Sequence, residues 1–228
     1  MNKNIVLLVV GSFNPITNGH LLMLEHTKNE IHGNGFNVLT GVLSPVNDEY
    51  GKAGLIKSKD RLEMCWLATS SSNWINVDSW EAMLDQNKTK KLREECGSAE
   101  SFTGVPTVAV IKHLKEIHQT NIGFICGGDL FLGFVNKDWW SDKEIELMVG
   151  DYLFVIERED ITESVMRESM EKRSIFKKLQ DKIIFIKPFI RNDVSSSAVR
   201  KLIKEGKSVK YLIPDLTLNY IKDNKLYI

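Results

Sequence analysis

The sequence predicts an α/β fold in which a parallel β-sheet is doubly wound and covered by helices on both faces. Short runs of β-branched apolar residues recur along the chain, and longer segments with helical spacing separate them. Strands that are apolar throughout are typical of parallel sheets buried on both faces. Right-handed crossovers between such strands give a doubly wound sheet. A length of 228 residues suits a single domain.

The predicted elements alternate along the whole chain. The six predicted strands are Ile5–Val10, Val38–Leu43, Trp74–Val77, Ile122–Cys126, Tyr152–Ile156 and Ile183–Ile186. The five predicted helices are Gly19–Ile31, Ser58–Thr69, Pro106–His118, Ile161–Arg173 and Ser195–Glu205. Residues 87–104 are polar and weakly periodic, and we expect a mobile loop there within one domain spanning 1–228. Ligands of such sheets bind beyond the carboxyl ends of the strands, so the loops that follow the strands are the candidate site.

Composition excludes several classes of protein. Thirty basic residues balance thirty acidic ones, whereas proteins that bind nucleic acid usually carry a basic excess. No apolar stretch approaches the ~18 residues that a membrane span needs. The three cysteines, Cys65, Cys96 and Cys126, are far apart and form no CxxC pair. We therefore expect free thiols in an intracellular protein, cytoplasmic or nuclear, with no nucleic-acid or membrane partner. A homo-oligomer is compatible with the sequence.

The first candidate segment, GSFNPITNGH, follows the first strand directly. Gly11 lets backbone amides approach a ligand. Asn18 is the predicted N-cap of the following helix. His20 then lies in the first helical turn, where free amides and the helix dipole favour phosphate. The alternative is that His20 only caps or packs.

The second candidate segment, NDVSSSAVR, lies at the start of the last predicted helix. Ser195, Ser196 and Ser197 place three hydroxyl groups beside unsatisfied amides. Arg200 is four residues beyond Ser196, on the same helix face, where its guanidinium could bind two phosphate oxygens. The alternative is an ordinary capped helix with a solvated arginine.

Two further segments complete the candidate site. Gly127 and Gly128 follow the fourth strand and permit close approach to a nucleotide, and Asp129 can accept hydrogen bonds from ribose hydroxyls. Lys52 lies in the loop after the second strand, between Gly51 and Gly54. A lysine in such a loop is usually only solvated, but the position of Lys52 makes it a candidate.

Together, GSFNPITNGH, GGDLF and NDVSSSAVR resemble the three nucleotide-binding motifs of the nicotinamide/nicotinic acid mononucleotide adenylyltransferases of eukaryotic type. The resemblance extends through SPVNDEYGKAGLI, NVDSWEAM and KYLIPDLTLNYIKDNKLY and covers nearly the whole chain in the expected order. It implies a Rossmann-like nucleotidyltransferase fold. It also implies an enzyme that joins nicotinamide or nicotinic acid mononucleotide to ATP, forming NAD or its deamido form and pyrophosphate.

The resemblance also implies roles at the ATP site. His20 and Lys52 would contact the phosphates, Ser197 to Arg200 would hold the β- and γ-phosphates, and Gly127 and Asp129 would bind the adenosine. The implied ATP-binding residues are Gly11, Ser12, Phe13, His20, Lys52, Gly127, Asp129, Asn192, Ser195, Ser196, Ser197 and Arg200. Among them we assign His20, Lys52 and Arg200 as catalytic, because transfer between polyanions needs fixed positive groups.

For the mononucleotide, Trp140 matches a tryptophan that stacks on the pyridine ring. The second stacking tryptophan of familiar relatives falls on Asn87 here, and a gap would bring Thr89 or Lys90 to that position. Trp80 matches a family tryptophan for which packing is an alternative role. The implied mononucleotide-binding residues are Ser12, Phe13, Trp80, Thr89, Trp139 and Trp140. The alternative for Trp139 and Trp140 is that they only anchor a surface loop.

The sequence shows no cluster of carboxylates, so we expect no metal site made of protein ligands, and a Mg²⁺ ion held mainly by ATP phosphates and water. Two alternative functions remain open: a sister nucleotidyltransferase with another phosphate acceptor, and a catalytically silent nucleotide-binding or chaperone-like protein. A fragment of a class I aminoacyl-tRNA synthetase would explain Asn18-Gly19-His20, but the sequence has no KMSKS-like loop and its net charge is neutral.

Overall fold

The protein forms a six-stranded sheet in which all pairs of neighbouring strands are parallel. The computed structural model describes residues 2–99, 102–136 and 140–228. The strands are β1 (Lys3–Gly11), β2 (Phe36–Pro45), β3 (Ile75–Val77), β4 (Asn121–Gly127), β5 (Tyr152–Ile156) and β6 (Ile183–Ile186), in the order β3-β2-β1-β4-β5-β6. The strand order reverses direction between β1 and β4, so the predicted doubly wound α/β fold is confirmed.

Helices cover both faces of the sheet. They are α1 (Asn18–Ile31), α2 (Ser58–Thr69), α3 (Gln86–Cys96), α4 (Thr107–His118), α5 (Gly128–Asn136), α6 (Asp142–Val149), α7 (Glu163–Met170), α8 (Ser174–Leu179), α9 (Ser196–Lys204) and α10 (Asp215–Asp223). Buried residues of α1, α2, α9 and α10 share one core, and those of α3 to α8 share the other. In the part of the chain that is described, no helix is both long enough and apolar enough to cross a bilayer.

The central strand β1 supplies both cores. Ile5, Leu7 and Val9 pack into the core beneath α1 and α2, whereas Val6 and Leu8 pack into the opposite core. Successive side chains of a strand point to opposite faces, so an unbroken apolar run is what a central strand of this sheet requires.

The prediction of a loop over residues 87–104 was wrong for the first half of this segment, which lies in α3. The carboxylate of Asp85 accepts the backbone N–H of Lys88 at 2.8 Å and caps the start of this helix. Gly97 ends it in the left-handed region, with φ of 67°. Two Lys–Glu ion pairs with four-residue spacing lie along it. The helix is polar on most of its surface, and hydrophobic periodicity therefore gave little sign of it.

The carboxyl-terminal segment returns to the loops that follow β1 and β2. Helix α10, which was not predicted, packs on α2, where the Thr217 hydroxyl donates to the Met64 carbonyl at 3.2 Å. Beyond it, the Tyr227 hydroxyl donates to the side-chain oxygen of Asn14 at 2.8 Å. The amide nitrogen of Asn14 donates in turn to the Gly54 carbonyl at 2.8 Å. The end of the chain thus braces the candidate loops.

The fully buried Arg61 of α2 holds three segments together. Its guanidinium donates to the carbonyl oxygens of Ile56 at 2.9 Å, Ser12 at 3.0 Å and Val46 at 2.7 Å. The Asp48 carboxylate lies 3.3 Å away. Burial lowers the pKa of Arg61, and Asp48 acts in the opposite direction. A buried cation is tolerated here because its donors are paired.

We expect Arg61→Met to destabilise the protein by about 3 kcal/mol, because three carbonyl groups that are buried or partly buried and one carboxylate would lose their donor. The free energy of unfolding in urea measures the change. Lys59→Met is the matched control, since Lys59 is an exposed cation on the same helix, and its change should stay within about 0.5 kcal/mol. Equal stability of the two variants would contradict the bracing role of Arg61.

Candidate active site

Two pockets lie beyond the carboxyl edge of the sheet. The first has a volume of about 220 Å³ and is bounded by the loops that follow β1, β2, β4, β5 and β6. The second has a volume of about 410 Å³ and lies beside β1, β4 and the start of α4. Ser12 lines the first pocket, and its neighbour Gly11 lines the second. The end of β1 is therefore the place where the pockets adjoin.

The first pocket is polar and collects most of the predicted ATP-binding residues. Those on its wall are Ser12, His20, Lys52, Gly127, Asn192, Ser195, Ser196 and Ser197. The wall contains hydroxyl groups, several nitrogen donors and the start of α9, which has free backbone amides. It also contains three acidic residues, Glu157, Glu159 and Asp193. Such a surface can bind a polyanion.

His20 is held as a neutral hydrogen-bond donor. The backbone N–H of Thr17 donates to its Nδ1 at 3.0 Å, so the neutral ring carries its proton on Nε2. Burial, then the charges of Arg158 and Lys52, lower the pKa of His20 from 6.5 to about 4. Thr17, not Asn18 as predicted, is the N-cap of α1. Asn18 is the first helical residue, and its side chain donates to the Tyr211 carbonyl at 2.7 Å.

Phe13 supports His20 from beneath. The Phe13 ring is buried and meets the imidazole edge-on, with ring centroids 5.1 Å apart. A Cβ atom at Gly11 would come within 3.2 Å of the Phe13 ring, so the absence of a side chain at this position leaves room for the ring. The structure does not place Phe13 on the wall of either pocket. Its side chain packs under His20, and the prediction that Phe13 lines the site through its backbone groups stays a prediction.

The start of α9 is bound to the loop after β1. The Ser195 side chain caps the helix by accepting the Ala198 N–H at 3.2 Å, and the Ser196 hydroxyl donates to the Pro15 carbonyl at 2.7 Å. Arg200 donates to the Asn14 carbonyl at 2.7 Å and to the Ser197 hydroxyl at 3.3 Å. Ser197 is on the wall of the first pocket, and Arg200 lies behind it and is not on the wall.

Arg158 lines the first pocket, although the sequence analysis did not identify it. Its Nε lies 3.3 Å from the Asp129 carboxylate, which is largely exposed and is not on the pocket wall. A Cβ atom at Gly127 would come 2.6 Å from that carboxylate, so a larger residue there would have to displace the exposed Asp129 side chain. Arg158 is the second residue after β5, and reading every loop that follows a strand would have found it.

The second pocket is mostly apolar and aromatic. Its wall includes Val10, Tyr50, Phe102, Phe124, Leu130, Phe134 and Trp140. Trp140 meets Phe134 edge-on, with ring centroids 4.8 Å apart. Two acidic residues, Glu81 and Glu144, are also on the wall. A cavity of this kind accepts a flat ring with a few polar groups. Trp139, also predicted to bind the mononucleotide, lies outside the described residues.

Comparison with known proteins decides the family. The Cytidylyltransferase-like family matches residues 8–202. The chain is 32% identical to nicotinamide/nicotinic acid mononucleotide adenylyltransferase 1 of Bos taurus over 251 residues, covering 98% of this chain and 88% of that protein. It is 35% identical to a nicotinamide/nicotinic acid mononucleotide adenylyltransferase of Oryza sativa subsp. japonica over 224 residues, covering 97% and 85%. The chain belongs to the nicotinamide/nicotinic acid mononucleotide adenylyltransferase family.

A solved structure shows the same fold. The nicotinic acid mononucleotide adenylyltransferase of Plasmodium falciparum, complexed with APC, superposes with a TM-score of 0.65 at 22% identity, covering 99% of this chain and 98% of that one. The Rossmann-like nucleotidyltransferase fold expected for an adenylyltransferase of this family is therefore confirmed.

Two residues predicted to bind the mononucleotide are not on the wall of either pocket. Trp80 stacks on the ring of His113, with centroids 4.2 Å apart and an interplanar angle of 11°. Thr89 is buried, donates to the Asp85 carbonyl at 2.8 Å and accepts from the Asn47 side chain at 2.8 Å. These contacts give both residues packing roles in this adenylyltransferase. Thr89 was expected in a mobile loop, where it could reach the mononucleotide, but it lies in α3, a helix that was not predicted.

We expect NMR titration to give His20 a pKa of about 4, with the proton on Nε2 above that pH. Lys52→Met and Arg158→Met should each raise this pKa, because each removes a neighbouring positive charge that favours the neutral ring. A His20 that titrates at its ordinary 6.5 would contradict the neutral-donor assignment.

Proposed function

We infer that this protein transfers the adenylyl group of ATP to nicotinamide or nicotinic acid mononucleotide. A phosphate oxygen of the mononucleotide attacks the α-phosphorus of ATP. The bond from this phosphorus to the bridging oxygen of the β-phosphate breaks, and pyrophosphate leaves as NAD or its deamido form is made. One observation carries the proposal: a polar and an aromatic pocket adjoin at the end of β1, where Ser12 lines one and Gly11 the other. Family membership favours this acceptor over those of sister transferases.

The polar pocket suits the triphosphate. Lys52 and Arg158 supply positive charge, and His20 supplies an Nε2–H donor. A neutral donor needs no proton from solvent and remains a donor across the physiological pH range. Groups fixed before the reaction stabilise charge that develops on the leaving pyrophosphate, and this is the main source of catalysis in phosphoryl transfer. Ser12 and Gly127, at the ends of β1 and β4, would lie along the rest of the nucleotide.

The start of α9 would bind the β- and γ-phosphates. Ser196 and Ser197 line the pocket beside free helical amides. We keep Arg200 in the catalytic set because it is bonded to Ser197 and lies directly behind it. A phosphate would compete with the Asn14 carbonyl for the Arg200 guanidinium, and the pair of opposite charges is the stronger of the two. Asn192 and Asp129 would contact the nucleotide at the rim.

A divalent cation accompanies ATP in this proposal, and we assign it as Mg²⁺. Within 2–99, 102–136 and 140–228 no group of three or more His, Cys, Asp or Glu side chains is arranged to hold a metal ion. The first pocket fits an ion carried by the phosphates, because its acidic residues, Glu157, Glu159 and Asp193, form no such group and its wall also offers hydroxyl groups and cations. When bound, Mg²⁺ would offset negative charge on the phosphates.

We also propose that the protein acts inside the cell, in the cytoplasm or nucleus. Its three cysteines, Cys65, Cys96 and Cys126, are unpaired and buried, as is common in reducing compartments.

Incubation of the protein with ATP, Mg²⁺ and either mononucleotide should yield the dinucleotide and pyrophosphate. His20→Ala should lower kcat by roughly 10²–10³, the usual loss when one preorganised donor to developing charge is removed. His32→Ala, at an exposed position at the end of the same helix, is the control and should retain the wild-type rate. No product from the wild-type protein would refute the proposed function, and a folded His20→Ala enzyme at more than about a third of the wild-type rate would refute the role of His20.

Trp140→Ala should raise the KM for both mononucleotides by roughly 10-fold, the effect of losing ~1.4 kcal/mol of uniform binding. The KM for ATP should not change, because Trp140 lines only the aromatic pocket. Trp66→Ala, at an exposed tryptophan of α2, controls for a change in fluorescence and folding. If Trp140→Ala keeps the wild-type KM and the wild-type fluorescence quench on mononucleotide binding, stacking is excluded.

A further inference from the structure

Glu81 is a carboxyl group buried at the wall of the aromatic pocket. It opens a short 3₁₀ turn, Glu81–Met83, and is only 1% exposed. The Ser44 hydroxyl donates to its Oε2 at 2.6 Å. Its Oε1 is buried and has no hydrogen-bond partner within the described residues. A buried carboxyl oxygen without a partner is costly. The missing hydrogen bond is one that a ligand in this pocket can supply.

The second acidic residue of the pocket provides a contrast. Glu144 is also buried, but its Oε2 accepts from the backbone N–H and the hydroxyl of Ser141, each at 2.9 Å. These bonds belong to a capping box at the start of α6. Glu144 is therefore engaged in holding a helix, whereas Glu81 has an oxygen free for a ligand.

The groups around Glu81 favour its protonated form at neutral pH. Burial raises the pKa of Glu81 to about 8, and the nearby Asp78 adds to the rise, while Ser44 and Arg61 oppose it. The Nε2 atom of His113 lies 3.1 Å from the Oδ2 atom of Asp78. Tyr50 lines the same pocket, and burial raises its pKa above the ordinary 10.0.

We propose that the Glu81 carboxyl binds the substituent of the pyridine ring and sets the preference between the acid and the amide acceptor. The inference rests on the proposed function, because it places the pyridine ring in the aromatic pocket. A protonated carboxyl donates to a ring carboxylate or to a carboxamide oxygen. An ionised carboxyl repels the carboxylate but still accepts the carboxamide N–H. Only the acid acceptor therefore depends on the proton of Glu81.

The direction of the pH dependence follows from this asymmetry. Below about pH 8, Glu81 carries its proton and both acceptors are bound. Above it, the acid acceptor loses a charge-assisted hydrogen bond and meets a like charge, whereas the amide acceptor exchanges one hydrogen bond for another. The 5′-phosphate titrates alike in both acceptors, so its contribution cancels in the ratio of their KM values.

The test is the KM ratio of acid to amide acceptor at about pH 6.5 and about pH 9, a window that lies below the titration of Tyr50. In the wild-type protein the ratio should rise by roughly 10-fold or more, the size of one lost hydrogen bond to a charged group. Glu81→Gln, which keeps a donor and an acceptor but does not titrate, should abolish the rise. Glu144→Gln is the matched control and should keep the wild-type slope, whatever its effect on activity.

A flat ratio in the wild-type protein would overturn the inference, as would equal slopes in wild type and Glu81→Gln. A slope lost in Glu144→Gln but kept in Glu81→Gln would assign the proton to the other carboxyl. Binding of each mononucleotide, followed by tryptophan fluorescence at the same two pH values, gives the affinity ratio without turnover and without any variant. Absence of product with both acceptors would refute the proposed function, and the binding ratio would then decide the role of Glu81 by itself.

Discussion

The geometry of the site depends on one buried cation. Arg61 lies in α2, away from both pocket walls, yet its guanidinium is bonded to carbonyl groups in three loop segments. Ser12 and Val46 follow β1 and β2, and Ile56 closes the loop that carries Lys52. In the loops that follow parallel strands, backbone carbonyl groups have no partner in the sheet. A planar guanidinium with five N–H donors can bind several of these carbonyl groups at once. Without the hydrogen bonds from Arg61, each loop would need other contacts to keep its conformation.

The end of β1 divides the site by chemistry. On one side, hydroxyl groups, helical amides and the cations Lys52 and Arg158 line the polar pocket, which we propose for the phosphates. On the other, aromatic side chains around Trp140 line the pocket that we propose for the pyridine ring. Adjacent residues, Gly11 and Ser12, face the two pockets. Two substrates with unlike ends can thus meet at their phosphates without either pocket having to suit both chemistries.

Burial sets the protonation of one group in each pocket, and both are kept uncharged. His20 loses its proton because it is desolvated and faces Arg158 and Lys52. Glu81 keeps its proton because it is desolvated beside Asp78. In both cases the neutral form carries an N–H or O–H that can be donated to an anionic substrate. A site that binds polyanions gains from donors that carry no negative charge at neutral pH.

The sequence by itself determined the strands, the doubly wound fold class, and the loops that bear Ser12, His20, Lys52 and Ser197, whereas the strand order came from the structure. These are local properties, because apolar runs, glycines and helix starts are read from neighbouring residues. Tertiary structure alone decided the pairing of Arg158 with Asp129, the neutral state of His20 and the packing of Trp80 on His113. It also decided that Glu81 has a carboxyl oxygen without a partner. Burial and side-chain pairing depend on residues that are far apart in the chain. The hydrophobic periodicity of the sequence does not predict which of these residues come into contact.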